Sequence, residues 1–278
     1  MINTVKTIAL LGVLSVLLIT VGGLLGGQEG IYMAFFFSLL MNGAAYFFSD
    51  KLALKMSGAK PIKKRDYPQL FEIVEDLSRK MKIPMPKMYI TPAAQANAFA
   101  TGRDPSHASV AVTKGIMNIL SKEELKGVLA HELSHVKNRD ILVASVAAVI
   151  ASAISFLANM SLFGAFSRGD NRGGAGAFGL LIAILVPIAA SIIQLAISRQ
   201  REYGADETGA RLIGNGEPLA RALIAIHDST RRAPLATNPA YSSLYISNPL
   251  GGLGGGLTKL FSTHPPVEER VKRLRNIK

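Results

Sequence analysis

The sequence predicts a mainly α-helical chain with a small β-sheet, in which a soluble part is fused to multi-pass transmembrane helices. Three observations predict it. Four stretches, residues 7–27, 30–49, 141–164 and 177–197, carry no Asp, Glu, Lys or Arg. Each is close to the ~20 residues that a helix needs to cross the hydrocarbon of a bilayer. The remaining sequence alternates a few short β-branched runs with longer segments of helical periodicity. Finally, the chain of 278 residues has no cysteine, which excludes disulfide frameworks, Cys-ligated zinc, iron–sulfur clusters and cysteine nucleophiles.

The first two apolar stretches are separated only by Gln28 and Glu29 and read as a membrane hairpin, residues 1–50. A cleavable signal peptide is shorter than 7–27 and ends in a small-residue cleavage site, which is missing here. Residues 51–140 form the first half of the soluble part. In it 66–84 is amphipathic, with Leu70, Ile73, Val74 and Leu77 on one face. Lys87–Thr91, Ala96–Thr101 and Ala108–Thr113 read as strands. Ser121 and Glu124 have capping-box spacing and announce a helix from Lys122 to about Asn138. Residues 141–197 read as a second apolar hairpin around the polar loop 165–176, with Pro187 kinking its second arm. A long helical hairpin packed partly on protein is the alternative for this pair. Residues 198–278 complete the soluble part. Helical pattern runs through Asp206 to about Leu212 and over 217–231. The Ser-, Asn- and Gly-rich 236–257 reads as a long mobile loop, and Pro265–Pro266 opens a terminal helix with Val267, Val271 and Leu274 inward.

Net charge +12 admits nucleic acid or anionic lipid as a partner. Lys51, Lys55, Lys60, Lys63, Lys64 and Arg65 follow the second apolar stretch directly, so a lipid bilayer explains the charge more simply. No helix-turn-helix, zinc-finger or RNP-like pattern points to nucleic acid. The same flank places the segment from Asp50 onward, and the N-terminus with Lys6, in the cytoplasm by the positive-inside rule.

The predicted helix 122–138 contains His131-Glu132-Leu133-Ser134-His135. Residues four apart differ by only ~40° around an α-helix, so both imidazoles can meet one metal ion. Glu132 lies beside that face, placed to take and return a proton without itself being a ligand. Zinc hydrolysis requires this set: two neutral nitrogen ligands and an adjacent carboxylate. A catalytic zinc also needs a third protein ligand, and Glu202 is the candidate. It stands four residues before Asp206, so one carboxylate can ligate while the other accepts the N–H of a ligand imidazole. An ordinary surface carboxylate paired with Arg199 or Arg201 is the plainer reading of Glu202. An even number of crossings between His135 and Glu202 brings both to one side of the membrane, which favours the ligand.

HELSH at 131–135, NRD at 138–140, REYGAD at 201–206 and THPP at 263–266 together resemble the HtpX membrane zinc proteases. These are relatives of the CAAX prenyl-protease type of metalloprotease, and the likeness covers essentially the whole chain. It implies a zincin-like (gluzincin-type) metalloprotease domain fused to the transmembrane helices, with one Zn2+ per chain. His131, His135 and Glu202 are then the zinc ligands, Glu132 the catalytic base and Asp206 the carboxylate behind a ligand. The resemblance also implies a cytoplasm-facing site on a bacterial or archaeal inner membrane, degrading damaged or unfolded membrane proteins. Within the family's pattern His264 is the candidate second stabiliser of the oxyanion, although capping ahead of the Pro-started helix would explain it equally. Arg270 could instead bind a carboxylate near the site. Asn97, Ala98, Phe99 and Ala100 resemble the family's substrate-binding edge strand, where backbone pairing would hold an extended peptide. Asp140 and Arg139 are read as anchoring the helix end, and His107 and His227 as solvated.

Two other readings are weaker. In a site-2-type intramembrane protease the HExxH helix lies inside the bilayer, whereas Lys122, Glu123, Glu124 and Lys126 start this one in water. A membrane metal transporter or non-proteolytic scaffold would carry ligands within the spans, where this sequence offers only Tyr32 and Tyr46 as titratable groups.

Overall fold

The computed structural model describes residues 2–147, 199–232 and 265–277. Helix α1 (Ile2–Met56) is broken at Gly27, whose φ of 58° and ψ of −139° interrupt the helix. Glycine populates such dihedrals without steric cost, so the turn falls there and not at Gln28–Glu29, as the charge gap suggested. The two arms double back on each other. The backbones of Gly22 and Gly30 touch, which no side chain at either position would allow, and Asn42 Nδ2 donates to Ser15 Oγ at 2.7 Å. Among the described residues one helix, the 30-residue Gly27–Met56, is long and apolar enough to cross a membrane; Thr7–Thr20 is a shorter apolar helix. Phe35, Phe36, Phe37, Leu39, Leu40, Phe47 and Phe48 are all exposed on it.

Beyond α1 the described chain is a small mixed sheet covered by helices. Strands β1 (Lys60–Pro61), β2 (Lys87–Thr91), β3 (Ala98–Gly102) and β4 (Ala108–Thr113) take the order β1-β2-β4-β3. β2 runs parallel to β4 and β3 antiparallel to it, with Ala100 opposite Val110. Among the described residues β3 is therefore an edge, starting at Ala98, two residues later than its sequence suggested. Alternation decides what each face meets. Ala98, Ala100, Val110, Val112, Met88 and Ile90 point into the main core. Phe99 and Ala111 point the other way, against Ala53 and Leu54 at the end of α1.

Helix α2 (Pro68–Met81) buries the expected face, Leu70, Ile73, Val74 and Leu77. A short helix α3 (Lys114–Ile119), capped by Thr113, has no counterpart in the sequence reading, because six residues are too few to display periodicity. Helix α4 (Lys122–Lys137) carries the HELSH segment and is buried over most of its length. It packs against α5 (Arg199–Ile213) and α6 (Glu217–Arg232), and the terminal helix α7 (Val267–Arg275) closes over α6 and α5. Val271 and Leu274 of α7 are buried as expected, Val267 is half-buried, and Arg270 is inward too.

Of the second apolar pair only 141–147 lies within the described residues. It is helical, and Ile141, Val143, Val146 and Ala147 are buried against protein. Thr101 and Ser145 share a buried hydrogen bond of 2.7 Å, which lays this segment on the same sheet face as the end of α1. The remainder of the expected hairpin, the Gly-rich 236–257 and His264 lie outside the described residues.

Close approach of α4 and α5 depends on Gly209. A methyl group there would lie 3.0 Å from the His131 backbone nitrogen and 3.1 Å from the Ala130 carbonyl carbon. Gly209→Leu should push the two helices apart and destabilise the fold by about 1–3 kcal/mol, the usual range for overpacking. Thermal unfolding in detergent checks this. The substitution should also lower metal content, since Glu202 sits on the displaced helix.

Candidate metal centre

Helix α4 is fastened at its N-terminus by the predicted capping box: Ser121 N donates to Glu124 Oε2 at 2.9 Å, and Glu124 N to Ser121 Oγ at 3.4 Å. Two turns on, His131 and His135 present their rings on one face, at 89° to each other with centroids 4.8 Å apart. Their Nε2 atoms are 3.3 Å apart. Glu202, in the first turn of α5, completes a triangle: Oε2 is 3.7 Å from His131 Nε2 and Oε1 is 3.5 Å from His135 Nε2. Among the described residues these three form the group of His and carboxylate side chains that could hold a metal ion.

The donor set fits a divalent cation. Two imidazole nitrogens facing each other at 3.3 Å compete for one proton and gain nothing from proximity alone. Ligands at 2.0–2.1 Å from a tetrahedral ion stand about 3.3–3.4 Å apart, and the three separations observed lie at or slightly above this. The fourth corner has no protein ligand among the described residues, as a catalytic site requires.

Both ligand rings are oriented from behind. His131 Nδ1 faces Asp206 Oδ1 at 2.9 Å, the role anticipated for Asp206. Asp206 is in turn held by Arg270, whose Nε and Nη2 donate to its two oxygens at 2.8 and 2.7 Å. Arg270 is 1% exposed and its Nη1 lies 3.8 Å from Glu202 Oε2. The carboxylate that Arg270 meets thus belongs to the protein's own metal centre. His135 Nδ1 meets Asp140 Oδ2 at 3.2 Å, so Asp140 does more than anchor a helix end. The turn that achieves this is local: Arg139 takes φ 59°, and Asp140 N donates back to the His135 carbonyl at 2.9 Å. With a carboxylate oxygen within 3.2 Å of each Nδ1, each Nε2 is left to face the cation position.

Glu132 is 6% exposed and its Oε2 accepts the backbone N–H of Ala100 on β3 at 3.0 Å. Burial pushes its carboxyl up to about 7, and neighbouring Glu202 adds to this, while His135 and the Ala100 N–H act against it. Burial also holds His131 below its ordinary value. On His135 burial acts in the same sense, but the hydrogen bond to Asp140 and the charges of Glu202 and Glu132 outweigh it, raising the ring to about 9. Burial opposes the charge of Asp206; Arg270 overrides it and keeps the group below the usual carboxylate range.

The softer sequence assignments separate here. Asn97, Ala98, Phe99 and Ala100 lie on or just before β3, all buried, with the Ala100 N–H bonded directly to Glu132. His107 is exposed and pairs with Asp104 at 2.9 Å, and His227 is half-buried on α6; neither joins the centre. The sequence reading missed the Asp140–His135 contact, which the spacing of five residues across a helix end could have suggested.

A model of peptidase family M48 matches residues 64–278. A curated relative described as a protease HtpX homolog from Pelotomaculum thermopropionicum is 49% identical over 98% of this chain and 98% of its own length. One from Aquifex aeolicus, with the same description, is 51% identical over 93% of this chain and 87% of its own length. A crystal structure of S. mikatae Ste24p aligns with a TM-score of 0.49 at 19% identity, over 87% of this chain; the chain spans 57% of that structure's length. With HExxH on one buried helix, a carboxylate facing it from the next and full-length relatives near 50% identity, the chain belongs to peptidase family M48 and is a metalloprotease.

Proposed function

We propose that the chain is a membrane-anchored zinc endopeptidase, with His131, His135 and Glu202 holding one Zn2+ and Glu132 carrying the proton. The convergence of three ligand atoms from α4 and α5, each backed by a buried carboxylate or arginine, is the observation that carries this reading. When bound, zinc supplies Lewis acidity that polarises the peptide carbonyl and acidifies water. Glu132, buried and poised near 7, accepts a proton from the attacking water and returns it to the leaving amine. Its second oxygen is not needed for this, so the Ala100 N–H can keep the carboxylate oriented.

The substrate reading rests on β3. Thr113 N donates to the Asn97 carbonyl at 2.9 Å, so the antiparallel ladder uses residue 97 and then every second residue. Ala98 and Ala100 therefore turn their backbone groups away from β4; the Ala100 N–H is taken by Glu132, which leaves the Ala98 N–H and the two carbonyls for a further strand. An extended peptide can add there as a further strand with little sequence preference, which suits unfolded or damaged membrane proteins as substrates. His264 is retained as the candidate oxyanion stabiliser. The exposed aromatic surface of Gly27–Met56 and the lysines that follow it support anchoring in an anionic inner membrane with the site on the cytoplasmic side. A transporter or inert scaffold would set its ligands within the spans, whereas this cluster belongs to the soluble helices.

Three outcomes follow for protein purified in detergent with zinc. Glu132→Gln should keep its metal and lose proteolysis of an unfolded substrate by about 10²-fold or more, the typical reach of a general base. Metal analysis and proteolysis on one sample check this, and retained activity would remove the base from the account. Glu202→Ala should bind zinc weakly; a wild-type dissociation constant would assign the third ligand elsewhere. Because His135 keeps its ring proton up to about 9, zinc must displace it. Apparent zinc affinity should therefore fall as pH drops from 8 to 6, by up to about tenfold per unit for one proton released. Competition with a chromogenic chelator measures it.

A further inference from the structure

Arg201 precedes Glu202 on α5, and only 16% of its side chain is exposed. Its Nη1 lies 3.8 Å from Asp140 Oδ1, while Nε and Nη2 are buried without a hydrogen-bond partner. A guanidinium whose buried donors go unused carries a desolvation cost, so its position needs a reason. The nearby charges supply one. Four carboxylates, Glu132, Asp140, Glu202 and Asp206, crowd the two histidines, and Arg270 answers Asp206 and Glu202 from one side. Arg201 brings a second guanidinium to the other side, beside Asp140.

The two residues also have a common place in the chain. Asp140 is the last residue before the helical segment 141–147, whose first turn closes on its carbonyl through Ala144 N at 3.3 Å. Arg201 lies in the first turn of α5, where the described chain resumes. Asp140 and Arg201 thus face each other across the two roots of the apolar insertion, and Asp140 holds the His135 ring.

We propose that Arg201 is a positioning residue of the metal centre: it holds Asp140, and through it His135, so that the two roots of the apolar insertion are clasped at a metal ligand. The inference rests on the ligand assignment proposed above. It predicts that Arg201→Gln raises the zinc dissociation constant about tenfold, the lower end of the range for groups that orient ligands. kcat should fall with KM unchanged, Arg201→Lys should recover most of both losses, and Asp140→Asn should match Arg201→Gln. In the double variant the two losses should not multiply, because both break one clasp. Zinc affinity is measured by chelator competition and proteolysis by steady-state kinetics, with Arg211→Gln, an exposed partner of Glu207, as a control for charge removal.

Wild-type zinc affinity in Arg201→Gln would overturn the proposal. A rise in KM with affinity and kcat intact would overturn it too, by making the guanidinium a substrate contact. Should Arg201→Gln not fold, Asp140→Asn and Arg201→Lys decide, since wild-type affinity in the first, or losses in the second as deep as those of Asp140→Asn, contradict the clasp. Glu202→Ala in parallel separates the two levels: loss of zinc there with affinity kept in Arg201→Gln defeats the clasp alone, and zinc kept in Glu202→Ala defeats the ligand assignment.

Discussion

The constraint on which this structure turns is electrostatic: several carboxylates stand, largely buried, around two imidazoles. Glu132, Glu202 and Asp206 are each no more than 6% exposed, and Asp140 is 7% exposed. An isolated buried carboxylate would take up a proton rather than stay charged. Here Arg270 forks onto Asp206 and keeps that group ionised against the effect of burial, and the histidines face the remaining oxygens. Breaking such a buried pair by removing one partner costs about 3–5 kcal/mol. The packing of the soluble part follows from it. α7 must reach the centre to deliver Arg270, so a nine-residue terminal helix is held at several points. Arg273 lies over the Tyr203 ring at 3.7 Å and Arg275 meets Glu217 at 3.1 Å. The backbone of Gly216, before α6, is in contact with Leu274, leaving no room for a side chain.

What was legible in the sequence was whatever local spacing encodes. His131, Glu132 and His135 declare their geometry through helical periodicity, and Ser121 with Glu124 declares where that helix begins. Glu202 and Asp206 repeat the interval of four, which puts both carboxylates on the helix face turned toward the two histidines. The faces of α2 and the strands β2 and β4 were equally local. Arg270 was harder, because α7 reads as a basic surface helix and nothing within it says that one arginine of four basic residues turns inward. That depends on Asp206, sixty-four positions away. Asp140 was read as a helix anchor, which it is; its second contact arises only once Arg139 enters the left-handed region and folds the carboxylate back. Gly209 looked like an ordinary helical residue until the backbone of α4 lay against it.

The two faces of the sheet relate the site to the membrane arm. Ala98 and Ala100 face the core that contains α4, while Phe99 between them packs on Ala53 and Leu54 at the end of α1. Consecutive side chains of one edge strand thus touch the ligand helix side and the membrane-arm side. The segment 141–147 reaches the same second face through Ser145 and Thr101. The strand that bonds Glu132 is therefore wedged between α4 and the elements leading to the apolar stretches. It cannot shift toward either without opening a buried interface, and dense packing transmits such shifts rather than absorbing them.

That arrangement explains why a strand so short and so poor in large side chains occupies the edge. β3 is Ala-Phe-Ala-Thr-Gly, every residue buried. Small residues on its core side let the Ala100 N–H approach Glu132 to 3.0 Å, closer than a bulky side chain at 98 or 100 would permit. The single large residue, Phe99, is spent on the opposite face, where it fixes the strand to α1. Edge strands are ordinarily blunted by charge or proline against pairing with stray chains. This one carries neither and is instead guarded by burial and by the carboxylate at its open side.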